Sequence, residues 1–117
     1  MIINILLVAA GGATGSVLRY LCQRSLNISF PYGTAAVNLI GCFLVGLFAG
    51  LFLKNHEHQK SLLLITGFCG GFTTFSAFTL ESIQMMANDR WISLAVYISL
   101  SVLGGLLATL LGYRLMN

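Results

Sequence analysis

Apolar residues fall along the chain in four long blocks that are almost free of charge, and short polar stretches separate them. The blocks are residues 2–20, residues 34–53, residues 62–86 and residues 92–113. Each reaches or approaches the roughly 20 residues that a helix needs to cross hydrocarbon, so the pattern predicts four transmembrane helices. The first link, residues 21–32, leads into the turn Phe30-Pro31-Tyr32-Gly33, whose aromatic residues suit a membrane interface. The second is KNHEHQK, residues 54–60, and the last is Asp89-Arg90-Trp91, with the indole as an interfacial anchor.

One block carries a signal against its own continuity. Residues 67–78 read GFCGGFTTFSAF, with Gly67, then the pair Gly70-Gly71, then the β-branched pair Thr73-Thr74. Glycine has the largest entropic penalty in a helix and β-branched residues lose rotamer freedom there, so a break is predicted over residues 70–74, with helix resuming at Phe75. Unwound backbone survives in hydrocarbon only where protein buries it or where it lines a cavity. Broken helices near the midplane mark ion and substrate sites. A kink at which small residues let a neighbour pack closely is the competing reading.

Composition strengthens the membrane assignment. Charged residues are 8% of the 117 and hydrophobic ones 57%, with a mean hydropathy of +0.90; a soluble domain carries roughly 25% charged residues. One domain, residues 1–117, accounts for the length. The net charge of +3 is spread singly along the chain, with no basic run of the kind nucleic acid needs. Cys22, Cys42 and Cys69 lie in or beside apolar stretches and read as free thiols, while His56 and His58 read as solvated loop residues. No positive region precedes the first block, so it reads as a span and not as a cleaved signal peptide.

Four spans put Lys54, Lys60 and Arg114 on one side of the membrane and Arg19, Arg24 and Arg90 on the other. The Lys/Arg imbalance orients small membrane proteins, so a tie predicts insertion both ways round and a homodimer of opposed copies.

No nucleophile with its base, phosphate loop or metal cluster is visible, so no enzyme is expected. The membrane blocks hold hydrogen-bond donors instead: Asn38, Thr73, Thr74, Ser76, Thr79, Tyr97 and Ser101. Glu81 falls towards the edge of the hydrocarbon, and no carboxylate sits deeper. That inventory suits an anion better than a cation. Phe75 and Phe78, three residues apart, can turn the positive edges of their rings to such an ion. Ordinary packing or lipid contact is the alternative for these rings, and a helix-bridging amide is the alternative for Asn38.

The whole chain resembles the CrcB/Fluc family of fluoride ion channels. The residues that carry the resemblance are the glycine-rich first block ending in Arg19-Tyr20, the run GTAAVNLIGCFLVG of residues 33–46, and above all GFCGGFTTFSAF. It implies an all-α membrane protein of four transmembrane helices, the third broken at the midplane, assembled as an antiparallel dual-topology homodimer with two fluoride pores. It implies a structural Na⁺ at the dimer centre, held by backbone carbonyls that map onto Gly70 and Thr73. Phe75 and Phe78 correspond to pore-lining phenylalanines and Asn38 to a pore asparagine. Ser76, Thr79, Tyr97 and Ser101 are candidates for a polar track, and Glu81 and Arg19 for the vestibule. Ala77 and Gly105 stand where hydroxyl residues are expected. The implied activity is passive export of fluoride across a bacterial inner membrane, which lowers its cytoplasmic concentration.

A small multidrug-type exporter that swaps protons for organic cations is the rival of another class. It needs a carboxylate within its first span, and residues 2–20 contain none.

Overall fold

A computed structural model describes residues 1–117, and four of its helical stretches are long and apolar enough to cross a membrane. Helix α1 is Ile2–Leu26. Helix α2, Tyr32–Phe48, continues through a π-wound turn, Ala49–Leu53. The third span is composite: α3 (His58–Ser61), a π-wound stretch Leu62–Cys69, α4 (Gly70–Phe72) and α5 (Phe75–Ala87). Helix α6 is Trp91–Leu115.

The helices outrun the apolar blocks at several ends. α1 continues six residues beyond Tyr20 to Leu26, so most of the expected first link is helical. Cys22, Gln23 and Arg24 are ordinary helical residues, and only Asn27 to Pro31 turn the chain. Hydropathy marks where a helix leaves hydrocarbon, whereas the helix itself ends where its backbone finds other partners.

Two pairs of helices make the fold, α2 against α6 and α1 against the first half of the third span. Both pairs come together through glycine. A Cβ on Gly46 would strike the carbonyl of Thr109, and one on Gly112 would strike that of Phe43, so the α2 and α6 backbones touch. A Cβ on Gly11 would meet the carbonyl of Leu63, and one on Gly71 would lie 2.5 Å from that of Gly12. Lipid tails are as apolar as leucine, so close backbone contact is what holds such helices together.

That requirement narrows the expected break to its last two residues. Gly70–Phe72 stays helical, and only Thr73 (φ −89°, ψ 157°) and Thr74 (φ −150°, ψ 116°) are extended. Glycine's weakness in a helix belongs to chains free to unfold. Here Gly71 is pinned against α1, and the β-branched residues, which favour extended backbone, take the interruption.

Burial is inverted relative to a soluble protein. The compact core is small: Ala35, Phe78, Met85, Leu94 and Tyr97, with Phe30 packed on it. Large apolar side chains such as Ile92, Leu106 and Leu111 stand on the outside, where a bilayer covers them.

Candidate functional site

The two extended residues are held from another helix. Thr74 N–H donates to Asn38 Oδ1 at 2.7 Å, and Asn38 Nδ2 donates to the Thr74 carbonyl at 3.0 Å. One amide side chain therefore takes both backbone groups of one residue, as a neighbouring strand would. On the upstream side the Cys69 carbonyl accepts from Thr73 N–H at 3.0 Å and from Thr73 Oγ1 at 2.8 Å. On the downstream side Thr74 Oγ1 accepts from Ala77 N–H at 3.0 Å and caps α5. Arg19 reaches across from α1, its Nε donating to the Gly71 carbonyl at 3.0 Å. The carbonyls of Gly70 and Thr73 receive none of the side-chain or turn and cap bonds.

A groove of about 530 Å³ opens beside this interruption, and Asn38, Gly70, Thr73, Phe75, Phe78 and Ser101 are among its lining residues. Ser101 Oγ is buried and has no hydrogen-bond partner. Most of the other polar groups are already engaged: Thr73 Oγ1 on Cys69, and Thr109 Oγ1 on the Cys42 carbonyl at 3.0 Å. The donors left free in the groove are Ser101 Oγ–H and the second N–H of Asn38. Phe78 is 9% exposed, whereas Phe75 is 75% exposed; their ring centroids lie 5.6 Å apart.

Behind Phe78 lies a second polar centre. Tyr97, fully buried, packs its ring 5.1 Å from that of Phe78 and donates its hydroxyl to Glu81 Oε1 at 2.8 Å. Glu81 Oε2 accepts from Thr34 Oγ1 at 2.8 Å and from Asn27 Nδ2 at 3.0 Å. Asn27 Oδ1 in turn accepts Thr34 N–H at 3.0 Å, satisfying an amide in the first turn of α2. Three spans and the link that follows α1 thus meet at one carboxylate. Asn27, Ser29, Glu81, Gln84, Asn88 and Arg90 form the polar wall of a cavity of about 480 Å³ that opens there.

Sequence comparison gives this geometry a family. The profile of the family described as "CrcB-like protein, Camphor Resistance (CrcB)" matches residues 6–113. Proteins named "Fluoride-specific ion channel FluC" from Azobacteroides pseudotrichonymphae and from Rhizobium etli are each 46% identical over 121 residues, which covers 98% of this chain and 97% of the relative. One of the same name from Flavobacterium psychrophilum is 46% identical over 115 residues, 93% of each chain. The chain belongs to the CrcB family.

Every candidate residue, from Arg19 to Ser101, lies inside the stretch that matches the CrcB profile. Asn38, Thr73, Phe75, Phe78 and Ser101 converge on the groove, and Gly70 borders it. Ser76 and Thr79 do not line it. Thr79 Oγ1 bonds back to the Ser76 carbonyl at 2.9 Å, and Ser76 Oγ pairs with Thr74 Oγ1 at 3.2 Å on the exposed side of α5. Tyr97 and Glu81 form the second centre, and Arg19 sits against the end of α4. Cys42 and Cys69 border the groove.

Reading the CrcB-family chain by sequence alone missed Gln23 and Asn27. Each supplies an amide to the second centre, and the only local hint was their polarity at the end of an apolar block. Their partners lie 11 and 54 residues away, a pairing that periodicity does not encode.

Proposed function

We propose that this chain is a fluoride-selective channel that lets the ion leave the cytoplasm passively and so keeps its concentration there low. The observation that carries the reading is the near-full-length likeness to curated proteins named as fluoride-specific channels. The groove supports it with chemistry. Fluoride is small and strongly hydrated, so a route must replace its water with hydrogen-bond donors. Ser101 Oγ–H and the free Asn38 N–H provide such donors, and the Phe75 and Phe78 edges add a weakly positive, dry wall. An unpartnered buried hydroxyl asks for an explanation, and a passing anion supplies one.

Two opposed copies complete the channel. A single chain leaves its groove open and Phe75 three-quarters exposed, and the equal distribution of Lys and Arg over the two faces favours no single orientation. In the antiparallel homodimer the Thr73–Thr74 interruptions lie at the midplane of a bacterial inner membrane. The Gly70 and Thr73 carbonyls fit a structural Na⁺ there. They stand at the carbonyl end of α4, where helix dipoles leave partial negative charge, and no donor from a side chain or turn has claimed them, whereas the Gly71 carbonyl between them is taken by Arg19. The ion would supply a fixed positive charge near the anion route.

Reconstituted into liposomes, the protein should release trapped fluoride down its gradient and leave chloride behind. Proton-coupled uptake of organic cations, or no fluoride movement from a folded and inserted protein, would overturn the reading. Accessibility labelling of a tagged C-terminus should find it on both faces of the membrane; labelling on one face alone removes the antiparallel arrangement.

A further inference from the structure

We propose that Gln23 is a positioning residue that couples Arg19, at the end of α4, to Glu81, at the polar mouth, so that the two charges act on fluoride movement as one unit. The proposal rests on the channel reading above.

Three bonds carry it. Arg19 Nη1 donates to Gln23 Oε1 at 3.4 Å, Gln23 Nε2 donates to Thr34 Oγ1 at 3.0 Å, and Thr34 Oγ1 donates to Glu81 Oε2 at 2.8 Å. The direction of this chain is fixed at each step. A guanidinium has no acceptor, so the Gln23 amide must turn its oxygen to Arg19 and its nitrogen to Thr34. Thr34 is fully buried, and its oxygen also accepts from Asn27 Nδ2 at 3.1 Å. With both acceptor positions filled, its single proton points to the carboxylate. Every donor therefore points from the positive end to the negative end.

The two charges form no direct ion pair; the chain's one salt bridge joins Lys60 and Glu57 in the polar link. The other groups that touch Glu81 are neutral, namely Asn27 and Tyr97. In a medium of low dielectric constant, aligned hydrogen bonds polarise and strengthen one another, so a network can be worth more than the sum of its pairs. Arg19 meanwhile grips the Gly71 carbonyl, two residues ahead of Thr73, so the relay ties the end of α4 to the mouth. Gln23 is the link that joins the two halves.

A double-mutant cycle tests the coupling. Arg19→Gln, Glu81→Gln and the double variant are measured for fluoride release from liposomes, first with Gln23 present and then in a Gln23→Leu background. With Gln23 present, the loss in the double variant should be smaller than the product of the single losses by about fivefold or more. In the Gln23→Leu background the losses should simply multiply. A merely structural Gln23 would lower the yield of folded protein in all four variants alike and leave the coupling ratio in place.

Multiplicative losses with Gln23 present, or an undiminished coupling ratio without it, overturn the proposal. The set Arg19→Lys, Glu81→Asp and Gln23→Glu covers any variant that does not fold. Gln23→Glu keeps an acceptor for Arg19 but cannot donate to Thr34, so the coupling should fall although Arg19 stays anchored. A wild-type protein that passes no fluoride sinks the channel reading itself; wild-type flux without coupling sinks only the role of Gln23.

Discussion

The chain stops being helical in two different ways, and the contrast shows how the candidate site is made. After α2 and after α5 the backbone closes on itself. His56 (φ 56°) and Asp89 (φ 55°) adopt left-handed conformations, and the next amides return to earlier carbonyls, Glu57 N–H to Phe52 at 2.9 Å and Arg90 N–H to Met85 at 2.8 Å. These are local endings, satisfied within a few residues. At Thr73–Thr74 no residue turns left-handed; the chain runs extended, and the Thr74 peptide is handed to Asn38, 36 residues away. A local ending needs no partner from another helix. The membrane interruption is finished only by another helix, and a groove opens beside it.

Removing the tertiary partner is therefore the most damaging change. Asn38→Leu leaves the N–H and carbonyl of Thr74 without partners, and at about 1–3 kcal/mol for each unsatisfied group the loss is about 2–6 kcal/mol. If the interruption must hold its shape for conduction, fluoride flux should fall at least about a hundredfold, the equivalent of about 2.7 kcal/mol. Thermal unfolding in detergent and liposome efflux measure the two effects. Flux within about twofold of wild type would mean that Thr73 and Thr74 stay extended unaided, and the contrast with the local endings would disappear.

That dependence also explains what the sequence could and could not announce. The four spans were legible because hydrocarbon imposes a length and excludes charge, and Asn38, Phe75, Phe78 and Ser101 stood out as polar or aromatic residues within them. The interruption at Thr73–Thr74 lies inside the expected 70–74, but the extension of that range back over Gly70-Gly71 followed helix propensity in isolation. Packing of Gly71 against Gly12 and Ser16 of α1 keeps that turn helical. Ser76 and Thr79 looked like donors for the route, yet a hydroxyl near the start of a helix can satisfy itself locally, as theirs do. Glu81 and Tyr97 were legible singly, but the centre they form was not, because it joins Asn27 of the first link, Thr34 of α2 and Tyr97 of α6.

The next largest effect should come from the rings beside the interruption. Phe78→Ile removes contacts with Tyr97 and Phe75 and should cut flux by at least about tenfold while costing stability, since truncating a buried Phe to Ala costs about 3–5 kcal/mol and isoleucine fills part of the space. Phe75→Ile should cut flux comparably with little change in the stability of the single chain, because the ring is 75% exposed there. Wild-type flux in both variants would show that ring edges do not border the route. Loss of flux with an unchanged size-exclusion profile separates conduction from assembly.

Ser101→Ala sharpens the contrast from the ligand's side. Its hydroxyl has no partner, so removing it relieves a desolvated polar group, and stability should hold or rise by up to about 1–3 kcal/mol. Flux should nevertheless drop several-fold, because one of the groove's free donors is gone. A stabler but slower channel is the signature of a donor kept for a passing ion. Unchanged flux would assign Ser101 to packing alone.

The smallest effect belongs to the local endings. A side chain in the left-handed region brings its Cβ too close to the following carbonyl, a strain of roughly 1–2 kcal/mol that glycine lacks. Glycine also gains freedom in the unfolded chain, which offsets about 0.4–1 kcal/mol of that relief. His56→Gly should therefore stabilise the protein by about 0.5–1 kcal/mol and leave fluoride flux unchanged, because both bonds of its turn are made by backbone and lie outside the groove. Asp89→Gly should gain less, since aspartate tolerates the left-handed region better than histidine through hydrogen bonds to its own backbone. The measurement is the thermal midpoint beside the efflux rate. A fall in flux at wild-type stability would couple the loop to the route, and the local endings would then share the dependence that now distinguishes Thr74.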